Sequence, residues 1–119
     1  MTADSEAKKT QSITVNYSPG SPQPWSANPD PLTVKHKGVT LLFNLLAPAP
    51  WVLSTTKPIV ISGDGASTEF GPVIRNSDSQ ASVLDNNTKK AYFKYTVYVT
   101  DPVSGKEEIY DPGINNDPD

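Results

Sequence analysis

Residues 91–100 read Ala-Tyr-Phe-Lys-Tyr-Thr-Val-Tyr-Val-Thr. Apolar bulk falls on every second position: Phe93, Tyr95, Val97 and Val99 share one side. Tyr92, Lys94, Thr96, Tyr98 and Thr100 share the other. A period of two is the pattern of a β-strand with one face in a core. Aromatic and β-branched residues suit that pleated surface. The chain then turns through Asp101–Lys106 (DPVSGK), a hairpin-type connection, and returns along Glu107–Tyr110. Asp111 onward (DPGINNDPD) reads as a turn and a tail.

Upstream, Val39–Leu46 (VTLLFNLL) gives the most central strand. Val39, Leu41, Phe43 and Leu45 form its core face. Leu42 and Leu46 make the other face apolar too, so the pattern predicts cover on both sides, at least in part. Ser12–Tyr17 (SITVNY) alternates Ile13, Val15 and Tyr17 with polar residues and reads as a half-buried strand. Leu32–Lys35 and Lys57–Ser62 add short strands, and Trp51–Leu53 carries an aromatic anchor. Phe70, Val73 and Ile74 sit around a Gly71-Pro72 break. Ser18–Pro31 holds five prolines, a density that predicts a long surface loop pinned by Trp25. Asn76–Thr88 is polar apart from the pair Val83-Leu84. No convincing helix is legible.

Seven or eight short strands with turn signals between them predict an all-β domain, an antiparallel β-sandwich, with a barrel as the alternative. The length of 119 residues suits one domain. Its expected limits are residues 12–111, after a disordered lead over 1–11 and before a tail over 112–119. Hydrophobic residues make up 35%, with twelve prolines and seven glycines, so the core is modest and the strands are short. No cysteine is present, which excludes disulfides, thiolate metal sites and thiol nucleophiles. Formal net charge is −3 and the basic residues are scattered, so no concentrated face for nucleic acid is expected. No stretch reaches the length of a membrane span. Met1–Gln11 contains no apolar run, so the sequence as given reads as cytoplasmic, or as exported if a leader had been removed.

Tyr92–Val99 (YFKYTVYV), followed by Asp101, Gly105 and Asp111-Pro112-Gly113-Ile114-Asn115, resembles the ending of small bacterial β-sandwich domains that are similar in architecture to cupredoxins. The resemblance implies an immunoglobulin-like or cupredoxin-like Greek key. It carries no copper site with it. A blue-copper centre takes two histidines and a thiolate, usually with an axial methionine, whereas this chain has one histidine, one methionine and no cysteine. No metal or other cofactor is expected.

His36 is the sole histidine and lies between Lys35 and Lys37, the setting of a solvated turn residue and not of a catalytic base, which needs an orienting carboxylate. Asp64 and Glu69 are the acids that a glycoside hydrolase reading would use, but nothing in their setting singles them out. Asp78, Asp85 and Asn86 offer oxygen ligands for an irregular calcium site, without the spacing of an EF-hand. Asp and Asn also serve as ordinary turn residues. Asn16-Tyr17-Ser18 and Asn86-Asn87-Thr88 match a glycosylation pattern that recurs by chance in such a chain.

The aromatic residues remain. Trp25, Tyr92, Tyr98 and Tyr110 are the expected contacts with a partner, because aromatic side chains with a polar handle bury area at low entropic cost. Trp51 is expected to cap the core instead. The function these readings favour is a non-catalytic protein-binding or assembly module, including a homodimer joined through Tyr92, Tyr98 and Tyr110. A carbohydrate or other small-ligand binder using Trp25 with the tyrosines is the alternative, and a hydrolytic enzyme the least favoured.

Overall fold

A computed structural model describes residues 9–118. Residues 1–8 of the expected lead, and Asp119, lie outside the described residues. Eleven strands run in chain order: β1 (Thr10–Tyr17), β2 (Trp25–Asn28), β3 (Leu32–Val34), β4 (Val39–Leu46), β5 (Val52–Leu53), β6 (Ile59–Ser62), β7 (Ile74–Ser77), β8 (Gln80–Asp85), β9 (Ala91–Thr100), β10 (Glu107–Tyr110) and β11 (Gly113–Asn116). One helical turn, α1 (Ala66–Glu69), lies between β6 and β7.

The strands form two sheets packed as a sandwich. Sheet A has five strands in the order β2-β1-β4-β8-β7; sheet B has six, β10-β9-β11-β3 with β5 and β6 also on β9. Pairing is predominantly antiparallel. Two pairs are parallel: β1 with β4, and β3 with β11. The alternation read in residues 91–100 holds: Phe93, Tyr95, Val97 and Val99 are at most 1% exposed. They meet Ile13, Val15, Val39, Leu41, Phe43 and Val83 from sheet A in one core. Phe43 lies 4.8 Å from Tyr95, and Phe70 meets Phe93 edge-on at 5.0 Å. Such ring pairs add to the apolar burial that drives the packing.

The sequence reading needs correction at four places. Seven or eight strands become eleven. Within the proline-rich segment, Trp25–Asn28 pairs antiparallel with β1; its prolines flank this stretch and do not interrupt it. Between Ile74 and Asp85, β7 and β8 form a hairpin with a bulge near Arg75, where β8 hides Ala81, Val83 and Asp85 and turns Gln80, Ser82 and Leu84 outward. The supposed tail contains β11, which sits between β9 and β3 and buries Ile114 completely. Lys35 then reaches Asp117 at 2.6 Å.

The position of β11 makes a direct prediction. Ile114→Ala is expected to cost about 2–5 kcal/mol, as for other buried aliphatic truncations, measured by urea unfolding. A loss under 0.5 kcal/mol, the level of a surface change, would refute the placement of this strand in the core.

Candidate functional site

Three groups of side chains stand out, and they occupy different parts of the fold. The first is the outer face of sheet B. Because β9 alternates, burying Phe93 through Val99 turns Tyr92, Lys94, Thr96 and Tyr98 outward. Register brings Ile109 opposite Tyr98 and Val60 opposite Thr96. Tyr92 is 56% exposed, Ile109 51% and Val60 39%. The Lys57 ammonium sits 4.5 Å from the Tyr98 ring centre, a cation–π contact that holds the ring in place. Tyr92 crosses to β11 and lies over Gly113, where a Cβ would come within 2.0 Å of the Tyr92 hydroxyl. Glycine at 113 is what lets that ring lie flat on the sheet.

The second group joins the sheet edges. Trp25, on the edge strand β2 of sheet A, stacks on Tyr110 of β10 in sheet B at 5.2 Å and 7°. Tyr17 packs against Trp25 at 4.3 Å and edge-on against Trp51 at 5.0 Å. Trp25, Trp51 and Tyr110 are partly buried against the core. Four aromatic rings thus close one side of the sandwich. The expected contact residues are therefore divided: Tyr92 and Tyr98 share the outer face of sheet B, while Trp25 and Tyr110 share an edge seam. The three tyrosines expected to join a dimer do not share a face.

The third group is a buried polar junction that sequence reasoning did not find. Asp85, Asn87 and Asn116 are fully buried. Asp85 Oδ1 accepts from the Asn87 backbone N–H at 3.0 Å and from Asn116 Nδ2 at 2.9 Å. Asn87 Nδ2 donates to the carbonyls of Val34 and His36. Asn87 holds a positive φ of 50°, which Asn tolerates better than most residues. Glu69 accepts from the Thr88 backbone N–H and hydroxyl. This ties the end of β8 in sheet A to β11 in sheet B. Asp85 Oδ2, Asn87 Oδ1 and Asn116 Oδ1 have no protein hydrogen-bond partner. Burial pushes the Asp85 carboxyl up to about 6; the bonds from Asn116 and Asn87 oppose the rise and the charge of Glu69 adds to it.

The other sequence candidates are dispersed. Asp78 pairs with Arg75 at 2.8 Å at the start of β8, and Asp85 is buried at its end. The Asn86 amide is turned to the Thr68 carbonyl, so these three do not converge on a calcium ion. Asp64 is exposed, whereas Glu69 is buried with both oxygens engaged by Thr88. His36 lines a shallow groove of about 470 Å³ with Lys9, Thr10, Gln11, Thr33 and Lys35, without a carboxylate on its wall. Among the described residues no group of three or more His, Cys, Asp or Glu could hold a metal. None of their helices is long and apolar enough to cross a membrane.

No protein-family model matches the chain, and no curated protein matches it.

The junction has a pH signature. The folded pKa of Asp85 lies above the ordinary value of about 4, so the native state holds the proton more tightly than the unfolded chain. Its contribution to stability is fully present below pH ~4 and is lost as pH rises through about 6. The displacement corresponds to roughly 3 kcal/mol. Asp85→Asn keeps an acceptor for Asn87 and adds donors for the unpartnered oxygens. It is expected to flatten this part of the stability profile, read from urea midpoints between pH 4 and 7.5. An unchanged profile would show that Asp85 does not titrate there.

Proposed function

We propose that this protein is a non-catalytic binding or assembly module that docks a protein partner on the outer face of sheet B. The observation that carries the reading is that Tyr92, Val60, Tyr98 and Ile109 share the outer face of sheet B, where Tyr92, Val60 and Ile109 are exposed. Exposed apolar surface on a sheet face suits a protein partner, whereas small ligands take concave sites. The Tyr98 ring is already held by Lys57, and the Tyr92 ring rests on Gly113. Rings fixed before binding lose little entropy on contact. Lys94 stands between them on β9 and discourages indiscriminate stacking of sheets. For the fold we infer the cupredoxin-like Greek key. Its support is that β2 and β3, consecutive in sequence, enter different sheets, and that β3 returns beside β11 as a parallel neighbour.

The carbohydrate reading draws less support. It uses Trp25 together with exposed tyrosines, but Trp25 is stacked on Tyr110, away from Tyr92 and Tyr98.

The test begins with native mass spectrometry of protein purified gently from its source, which identifies any protein held in complex. Tyr98→Ala is then expected to weaken that complex by about 2 kcal/mol, roughly thirtyfold, as for a central aromatic contact. Trp25→Phe should leave affinity within a factor of about three. Equal affinity for wild type and Tyr98→Ala would place the partner elsewhere. Tryptophan fluorescence that shifts on adding polysaccharide, with no protein complex found, would favour the sugar reading.

A further inference from the structure

The outer face of sheet A differs from that of sheet B. Register aligns Asn28, Thr14, Asn44 and Gln80 in one row across four strands. Gln80 Nε2 donates to Asn44 Oδ1 at 3.0 Å, and Asn76 Nδ2 donates to Gln80 Oε1 at 3.1 Å, which carries the row onto β7. The adjacent row is Ser12, Leu42, Ser82 and Ile74. Beyond these rows lie Leu46, 58% exposed, and Leu84, 44% exposed. No outward position on β1, β2, β4, β7 or β8 holds Asp, Glu, Lys or Arg. Arg75, the charged residue of β7, points inward and donates to the Leu53 carbonyl and Asp78. In a chain with 19% charged residues, a five-stranded face without one is depleted in the manner of an interface core.

We infer that the outer face of sheet A pairs with the same face of a second copy of this chain. Three arguments favour that occupant. First, copies that each carry a net charge of −3 repel one another, and a charge-free face is where that repulsion is weakest. A charged partner gains nothing from a neutral surface. Second, a twofold interface must be complementary to itself. Asn, Gln, Ser and Thr each donate and accept, so a row of them satisfies its own copy, and the flanking Leu42, Ile74 and Leu84 supply apolar contact. Third, the size fits. The 30 residues of the five strands, each covering about 3.3 Å by 4.8 Å of sheet, give a footprint of roughly 500 Å². This corresponds to a weak, reversible dimer at the lower end of specific interfaces. Such a dimer would turn both tyrosine faces outward and make a bivalent module. The bivalency rests on the function proposed above; the self-association does not.

The test is sedimentation velocity with native mass spectrometry, from low micromolar to near-millimolar protein. The wild-type chain is expected to show a concentration-dependent dimer that added salt preserves or strengthens. Ser82→Lys and Ser82→Glu introduce charge of either sign within the face, on the strand next to the central β4. Each is expected to weaken the dimer by roughly tenfold or more, with circular dichroism showing that both variants fold. Tyr98→Ala should leave the dimer unchanged. A monomer throughout the range overturns the inference, as does a dimer indifferent to both Ser82 variants. A dimer sensitive to Tyr98→Ala and not to Ser82 also overturns it, by moving self-association to sheet B. If the dimer forms as expected and no outside partner is found on sheet B, only the proposed function fails.

Discussion

The architecture depends on β9 being hydrogen-bonded along both edges. β6 and then β5 follow one edge, and β11 and then β10 follow the other. A strand held this way is fixed in register by four neighbours, and a slip of one residue would turn every core side chain to water. The fully buried Phe93, Tyr95, Val97 and Val99 oppose any such slip. Sheet A is assembled against this surface, with Phe43 on Tyr95 and Phe70 on Phe93. The same alternation that fills the core sends Tyr92 and Tyr98 outward, so the candidate contact face is a geometric consequence of core packing. What the sequence chose freely there is the identity of the outward residues.

The two sheets are joined differently around their margins. On one side the seam is aromatic: Trp25 on Tyr110, with Tyr17 and Trp51 behind. These rings supply the buried area where β2 and β10, both of four residues, come together. At the end of β8 the seam is polar, with Asp85 bonded to Asn116 of β11. Elsewhere Arg75 reaches the Leu53 carbonyl, and the Leu53 backbone N–H donates to the Asp78 carbonyl, which ties the β7–β8 turn to β5. A buried carboxylate with unpartnered oxygens beside it is not the most stable way to join two sheets. It does specify which strands meet, since an amide and a carboxylate must find each other before either is buried.

These seams also explain how far the sequence could be read. The strands dominated by apolar alternation, Thr10–Tyr17, Val39–Leu46 and Ala91–Thr100, were legible because their inward residues are aliphatic or aromatic. β8 and β11 hid from that reading because Asp85 and Asn116, polar by type, occupy core positions. Their burial is explained only by each other, 31 residues apart in sequence. β2 was obscured by the prolines around it. The tyrosines of β9 were legible as outward residues from the alternation alone. That Trp25 and Tyr110 stack on each other was not, because contact between the edges of two sheets follows from how the sheets face one another and not from any local period.

The apolar residues on both sides of β4 predict cover on both faces, at least in part. Within the chain the inner face is covered and the outer one only in part: Leu41 and Phe43 are buried, Leu42 is half-buried and Leu46 is exposed. Sheet A therefore presents leucines and a bonded amide row to the outside without the charges that normally keep a sheet face solvated and apart from its neighbours. Sheet B keeps such a charge, Lys94, among its outward tyrosines, and a second, Lys57, on the ring of Tyr98. The two faces thus differ in charge. Under the proposed function, the outer face of sheet B, with Lys94 and Lys57 beside its tyrosines and Glu107 opposite Thr100, reads a partner partly through charge. Under the inferred self-association, the neutral amide face of sheet A selects through shape and register, which a second copy of the same sheet matches by symmetry.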